Sequence, residues 1–121
     1  MTLLRDPDYL DSLAHFASSF RAEDLPLNVL ERSKWILADC IGVIGAGMRA
    51  PEMVAYAPVH LSSAAPGTAW IIGGGARSNE LCAAFLNGIA GTWHELDEGN
   101  TLSKGHPGIQ VVPAALGTAP W

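Results

Sequence analysis

WILADCIGVIGAGMRA, Trp35–Ala50, is the stretch on which the fold turns. Its end, Gly45-Ala46-Gly47-Met48-Arg49-Ala50, fits G-x-G-x-x-[GA] after an apolar run, the spacing of a dinucleotide-binding turn. That reading needs a strand before the glycines and an acidic residue about 20 positions beyond them to hold a ribose. Neither is present. The apolar run continues upstream with helical spacing through Leu27, Leu30 and Lys34, and no Asp or Glu lies between Met53 and Asn79. A helix opened by Pro26 and running to about Gly47 is therefore predicted. It is amphipathic in its first half and apolar nearly all round over Trp35–Gly47, which makes it the expected central buried helix. The glycines then read as a C-cap with close helix packing. Asp39 is the exception in this run. A buried carboxylate needs a donor, so a hydrogen bond to a neighbouring group is the expected role, with catalysis as the alternative.

Upstream, Tyr9, Leu10, Leu13, Phe16, Ala17 and Phe20 form one apolar stripe on a helix over Asp8–Phe20, started by Pro7 and Asp8. His15 lies beside the stripe and reads as a surface or packing histidine. Arg21–Leu25 is a polar link. Downstream, Pro51 restarts a short helix, Glu52–Leu61, in which His60 has no evident partner. Ser62–Gly67 is a loop. Thr68–Ile72 is β-branched and aromatic, an extended segment or hairpin arm before Gly73-Gly74-Gly75. A Gly-rich turn can cradle phosphate, but the P-loop Lys–Thr pair is missing and a plain turn is favoured, with Arg77 the nearby cation. Ser78 is the expected N-cap, with Glu80 in the first turn, of a helix over Asn79–Trp93 that buries Leu81, Cys82, Phe85, Ile89 and the small Ala and Gly positions. Gly88 and Gly91 in it would let another backbone approach. Val111–Thr118 starts a last apolar helix with Pro113 in its first turn. The fold class is all-α, an antiparallel helical bundle-like arrangement with a short extended segment near 68–72.

Composition narrows the function classes. The 121 residues are 49% hydrophobic and 16% charged, with mean hydropathy +0.20, apolar for a soluble domain of this size. Either the helices bury most of their surface or part of it meets something else. The net charge is −5, and the seven Lys and Arg are scattered singly, so no basic stripe exists for nucleic acid or an anionic membrane. Cys40 and Cys82 have no CxxC or zinc spacing and read as buried reduced thiols. The start MTLLRDPDY lacks an apolar h-region, and Met53–Ala76, though uncharged, is broken by Pro58, Pro66 and glycines. A cytoplasmic protein is expected.

The chemistry is concentrated in HELDEGNTLSKGHPGIQVVP, His94–Pro113, which holds two of the four histidines and three of the twelve acidic residues. A cluster of titratable groups just past an apolar helix, on a loop with Gly99, Gly105 and Pro107, is how a scaffold presents chemistry. Histidine changes charge near neutral pH, and a nearby carboxylate can hold it in one tautomer. His94, Asp97 and His106 are thus candidate proton handlers. His94 and Asp97 would face one side if the last helical turn persists. The competing reading is a solvated connection with capping residues. A two-histidine, one-carboxylate metal site from His94, Asp97 and His106 is a further alternative.

Ala83–Leu116, AAFLNGIAGTWHELDEGNTLSKGHPGIQVVPAAL, resembles the signature segment of the MmgE/PrpD family, which includes 2-methylcitrate dehydratase, cis-aconitate decarboxylase and iminodisuccinate epimerase. The likeness is carried by Phe85–Gly88, His94–Asp97, Thr101, His106–Pro107 and Val112–Leu116 in order, and extends weakly to Ile36–Gly47. The resemblance implies a helical domain split around a smaller α/β lid, with dimers common. This chain, 1–121, would be a single helical domain, the N-terminal fragment of that larger one, with the lid absent. It implies Asp97, Thr101 and His106 as catalytic residues; His94 and Lys104, the only cation of the loop, are added as substrate-binding candidates. Where the family pattern continues after its Asp with an aromatic and two acidic residues, this chain has Glu98, Gly99 and Asn100, and its Asp-to-His spacing looks one residue shorter than in the decarboxylase-like pattern. Both leave the substrate open.

The implied function is a lyase or isomerase, 2-methylcitrate dehydratase-like, that takes a proton from beside a carboxylate of a small polycarboxylate, needing no cofactor and no metal. His106 would be the acid/base and Asp97 its orienter or a substrate-positioning group. A homodimer is expected, with no nucleic-acid or membrane partner, and the isolated chain is expected to be inactive. The alternative is a truncated, non-catalytic helical module acting through homodimerisation or a partner chain, motivated by the apolar composition and the abrupt end at Trp121.

Overall fold

The computed structural model describes residues 7–119; the leading Met1–Asp6 and the closing Pro120 and Trp121, on which the readings of the chain ends partly rest, lie outside them. The described residues form α1 (Pro7–Ser19), a single 3-10 turn (Ala22–Asp24), α2 (Leu27–Gly47), α3 (Pro51–Ser63), β1 (Ala69–Ile71), β2 (Ala76–Ser78), α4 (Glu80–Thr92) and α5 (Pro107–Thr118). The fold is mainly helical, and the expected extended segment is one arm of a hairpin. The chain divides into two compact units between Arg32 and Ser33, inside α2.

The first unit holds α1, the 3-10 turn and the first turns of α2. The predicted stripe forms on α1, but Tyr9, Leu10, Leu13, Phe16 and Phe20 are all exposed. Phe16 and Phe20, one turn apart, pack ring on ring at 5.3 Å. His15 is exposed, and its carbonyl accepts from the Ser18 and Ser19 hydroxyls at 3.1 and 2.7 Å.

The second unit is built on α4, which touches α3, both strands and α5. This corrects the expectation that Trp35–Gly47 is the central helix. Of α2 only Cys40, Ile44 and Gly47 are buried, a strict i, i+4, i+7 line, while Trp35, Leu37 and Ile41 are exposed. Asp39 is exposed too, so its carboxylate needs no buried donor.

Helix α4 is also rotated from its predicted phase. Leu81 is 84% and Phe85 51% exposed, whereas Ala83, Leu86, Asn87, Ala90 and Gly91 face inward. Cys82 and Ile89 are half-buried. Side-chain size decides this: the small residues go inside because backbones pack against them. A Cβ on Gly47 would collide with the Ala90 carbonyl, and one on Gly91 with the Ile109 side chain. Gly88 has nothing near it, so only Gly91 of the expected pair serves close approach.

The dinucleotide reading fails as expected, since the residues before Gly45 are helical. Gly47 is not a left-handed cap, however. It is the last residue of α2, which tightens through Arg49 N–H to Ala46 O and Ala50 N–H to Gly47 O before Pro51 opens α3. The α3 residue His60 does find partners, lying 4.4 Å from the Tyr56 ring and 5.4 Å from that of Phe85.

The hairpin pairs Ala69 with Ser78, Trp70 with Arg77 and Ile71 with Ala76. Gly73 and Gly75 have φ of 78° and 66°, a region that favours glycine, so the Gly-rich run is a turn. Arg77 lies 3.9 Å over the Trp70 ring and donates to Thr68 O. Ser78 is not the N-cap. It ends β2, buried, and Asn79 caps α4, its Oδ1 accepting from Cys82 N–H at 3.0 Å while its Nδ2 donates to Ala65 O.

Asn87 joins hairpin to helix. Fully buried, it accepts from Ile72 N–H at 2.9 Å and donates to Trp70 O at 2.9 Å, so the chain entering the turn is held to α4 by both ends of one amide. The last helix starts four residues earlier than predicted, because Pro107 is its first residue with φ preset for a helix. Pro113 is then interior and buried.

Candidate active site

The loop between α4 and α5 is a chain of local solutions to backbone geometry. Helix α4 stops at Thr92, Glu95 N–H bonds Thr92 O, and Glu95 takes φ 52°, which turns the chain out of helix. His94 and Asp97 therefore do not share a helical face: His94 is exposed and Asp97 is only 8% exposed. Further on, Asn100 N–H bonds Gly105 O at 2.9 Å, and Asn100 Oδ1 accepts from Leu102 and Ser103 N–H at 2.9 and 3.0 Å. This closes residues 100–105 into a small loop, an Asx turn with Lys104 at φ 50°. Thr101 and Lys104 stand exposed on it.

The closed loop returns the chain so that His106 meets Asp97. His106 Nδ1 lies 3.0 Å from Asp97 Oδ2 and 3.2 Å from Asp97 O. The Asp97 side chain is 3% exposed and that of His106 46%. With both acceptors at Nδ1, the neutral ring carries its proton there and keeps the Nε2 lone pair for a reacting group. Such a ring can take a proton at Nε2 and return it, while the carboxylate behind fixes its orientation and balances the charge that appears. Of the five candidate residues, the fold thus brings together two, Asp97 and His106. Thr101 and Lys104 lie within the closed loop, and His94 precedes it. Among the described residues no group of three His, Cys, Asp or Glu converges with metal-binding geometry.

Two polar contacts here were not legible in the sequence. Glu98 Oε1 accepts the Gly108 N–H at 2.6 Å. Asn87, noted only as part of a motif, proves to be the hairpin lock; its position on the helix face of Ala83 and Ala90 is the signal that it is buried. Cys40 is fully buried, close enough to Asp97 and Glu98 to feel their charge. Burial pushes its thiol pKa up, and the negative charges of Asp39, Glu98 and Asp97 push it further. Both cysteines are free, Cys40 buried and Cys82 half-buried. An apolar cleft of about 360 Å³ lies elsewhere, between Ile41, Trp70, Ile72 and Leu116, and no titratable side chain lines it.

Residues 11–121 match the model of the MmgE/PrpD N-terminal domain.

The chain belongs to the MmgE/PrpD family.

Cis-aconitate decarboxylase of Aspergillus terreus is 31% identical over 104 residues, 86% of this chain and 21% of that protein. The enzyme of the same name from strain NIH 2624 / FGSC A1156 matches equally. The chain thus spans about a fifth of the length of these curated relatives. No solved structure matches it. The MmgE/PrpD match includes the whole loop and both partners of the Asp97–His106 pair. Among the described residues no helix is long and apolar enough to cross a membrane.

Proposed function

We propose that this chain supplies part of the active site of a lyase or isomerase that removes a proton from the carbon next to a carboxylate of a small polycarboxylate. The observation that carries the proposal is the Asp97–His106 pair, a buried carboxylate holding a half-exposed imidazole by Nδ1. Neutral His106 takes the proton on Nε2. The substrate becomes an enolate-like anion, and the imidazolium then returns the proton: to a departing hydroxyl in a dehydration, or to carbon in an epimerisation. A decarboxylation runs without the first deprotonation: carbon dioxide leaves, its bonding electrons stay on carbon, and His106, already protonated from solvent, gives its proton to that carbanion. Asp97 keeps Nδ1 protonated through the cycle. Lys104 and Thr101 supply a cation and a hydroxyl for substrate oxygens, with His94 at the edge of the site. Membership of the MmgE/PrpD family and the likeness to an enzyme named cis-aconitate decarboxylase support this chemistry. The test is turnover of methylcitrate-, aconitate- and iminodisuccinate-like substrates by a complete protein carrying His106→Ala. Near-normal turnover with an intact fold would end the assignment.

A second reading, a non-catalytic helical module that self-associates as a homodimer or binds a partner chain, is supported by the exposed Tyr9, Leu10, Phe16, Leu27 and Trp35. Light scattering decides its central point: a stable folded monomer that binds no apolar dye removes it.

A further inference from the structure

The first residue pair of α5 poses a conflict. His106 is its N-cap, the position from which a side chain would normally accept an orphan N–H of the first turn. Its ring makes no such bond, because Nδ1 faces Asp97. Pro107 follows and has no N–H. The first donor that α5 presents is therefore Gly108 N–H, and it is taken by Glu98 Oε1 at 2.6 Å from across the loop. We infer that Glu98 is a positioning residue for the Asp97–His106 pair, capping α5 in place of His106 so that the imidazole stays on Asp97.

Three further facts fit this division of labour. Glu98 adjoins Asp97 in the chain, so its bond to Gly108 ties the backbone carrying the carboxylate to the backbone carrying the imidazole. A charged acceptor at a helix N-terminus gains from both the hydrogen bond and the dipole. Gly108 leaves the room: a Cβ there would lie 2.7 Å from Glu98 Oε1 and 2.9 Å from Ile36 Cγ2. Without Glu98 the Gly108 N–H is open, and the remedy nearest at hand is the His106 ring itself, turned away from Asp97 to cap its own helix.

The inference rests on His106 as the proton-transfer group, but its test does not use turnover. The tautomer of His106 is read by ¹⁵N NMR in the full chain for wild type, Glu98→Gln, Glu98→Asp and Glu98→Ala, with circular dichroism to verify folding. Wild type is expected to show Nδ1–H. Glu98→Gln, which keeps an acceptor at the same reach, retains it. Glu98→Asp, one methylene short, and Glu98→Ala lose the Nδ1–H signature, with Nε2–H becoming the main neutral form. Should the alanine variant not fold, the aspartate variant decides. Retention of the Nδ1–H signature in folded Asp or Ala variants overturns the role of Glu98 and leaves the pair intact. A wild type lacking that signature overturns the pair itself, and with it the reading beneath.

Discussion

Asn87 and the Asp97–His106 pair are both polar centres reached from α4, yet they differ in what they leave unused. Asn87 is fully buried, and its amide oxygen and nitrogen are each committed to the hairpin backbone. Its burial leaves nothing that a substrate could reach, and it acts as a tie. Asp97 is nearly as deeply buried, but the imidazole it holds is half in solvent with Nε2 uncommitted. Burial alone would rank Asn87 first. Unspent hydrogen-bonding capacity, backed by a buried orienting group, is the better mark of chemistry.

The contrast can be broken most sharply at His106. In a complete protein, His106→Asn is expected to lower kcat roughly a hundred- to ten-thousand-fold with the melting temperature nearly unchanged, a pattern that steady-state kinetics and a thermal melt together check. Asn87→Leu should do the reverse. It strands the Ile72 N–H and Trp70 C=O, a cost of about 2–6 kcal/mol at 1–3 kcal/mol for each group, read as a lower urea midpoint. A full-length protein with normal stability after that change would show that the hairpin does not depend on the tie.

Packing next to the two centres provides finer tests. Gly91→Ala drives a methyl into Ile109 and should cost about 1–3 kcal/mol, whereas Gly88→Ala, with open space around it, should be neutral or stabilising by helix propensity. Equal losses in the two variants would contradict the α4–α5 approach. Cys40 gives a pH test. Its pKa is raised in the folded chain, so the unfolded thiol ionises first as pH rises. The Cys40 contribution to stability is complete below the ordinary thiol pKa and is lost as pH rises through the raised folded value. Urea melts across that window should lose stability in wild type more steeply than in Cys40→Ala. Smallest of all, Arg77→Ala should cost about 0.5–1 kcal/mol by removing the cation over Trp70, measured by the same melts.

Local chemistry explains which elements could be read without coordinates. Pro7, Pro51 and Pro107 stand at helix starts because a fixed φ and a missing N–H cost nothing there, although Pro107 was passed over for Pro113. The Thr68–Ile72 arm and the glycine turn were legible because a β-branched and aromatic run followed by positive-φ residues has few other conformations. Ser78 and Asn79 are both good caps by type, and the choice between them fell to strand register, which claimed Ser78 for the hairpin. Burial was the weaker reading. Leu81 and Phe85 are the larger residues of α4, but Ala83, Ala90 and Gly91 face the core, since close helix contact selects small side chains.

What the sequence determined by itself is the helical class, the short extended arm with its glycine turn, the rejection of a nucleotide loop and the place of the loop rich in titratable groups. These depend on periodicity, on proline and glycine stereochemistry and on charge, all of which act over a few residues. That Leu81 and Phe85 of α4 face solvent, that Asp97 is buried while His94 is not, and that Glu98 reaches Gly108 were decided by tertiary structure alone. Asp97 and His106 are nine residues apart, joined through a left-handed Glu95 and a loop closed on Asn100. No period links such positions. Their meeting depends on where α4 stops and α5 begins, and that is set by the packing of the two helices around Gly91 and Ile109.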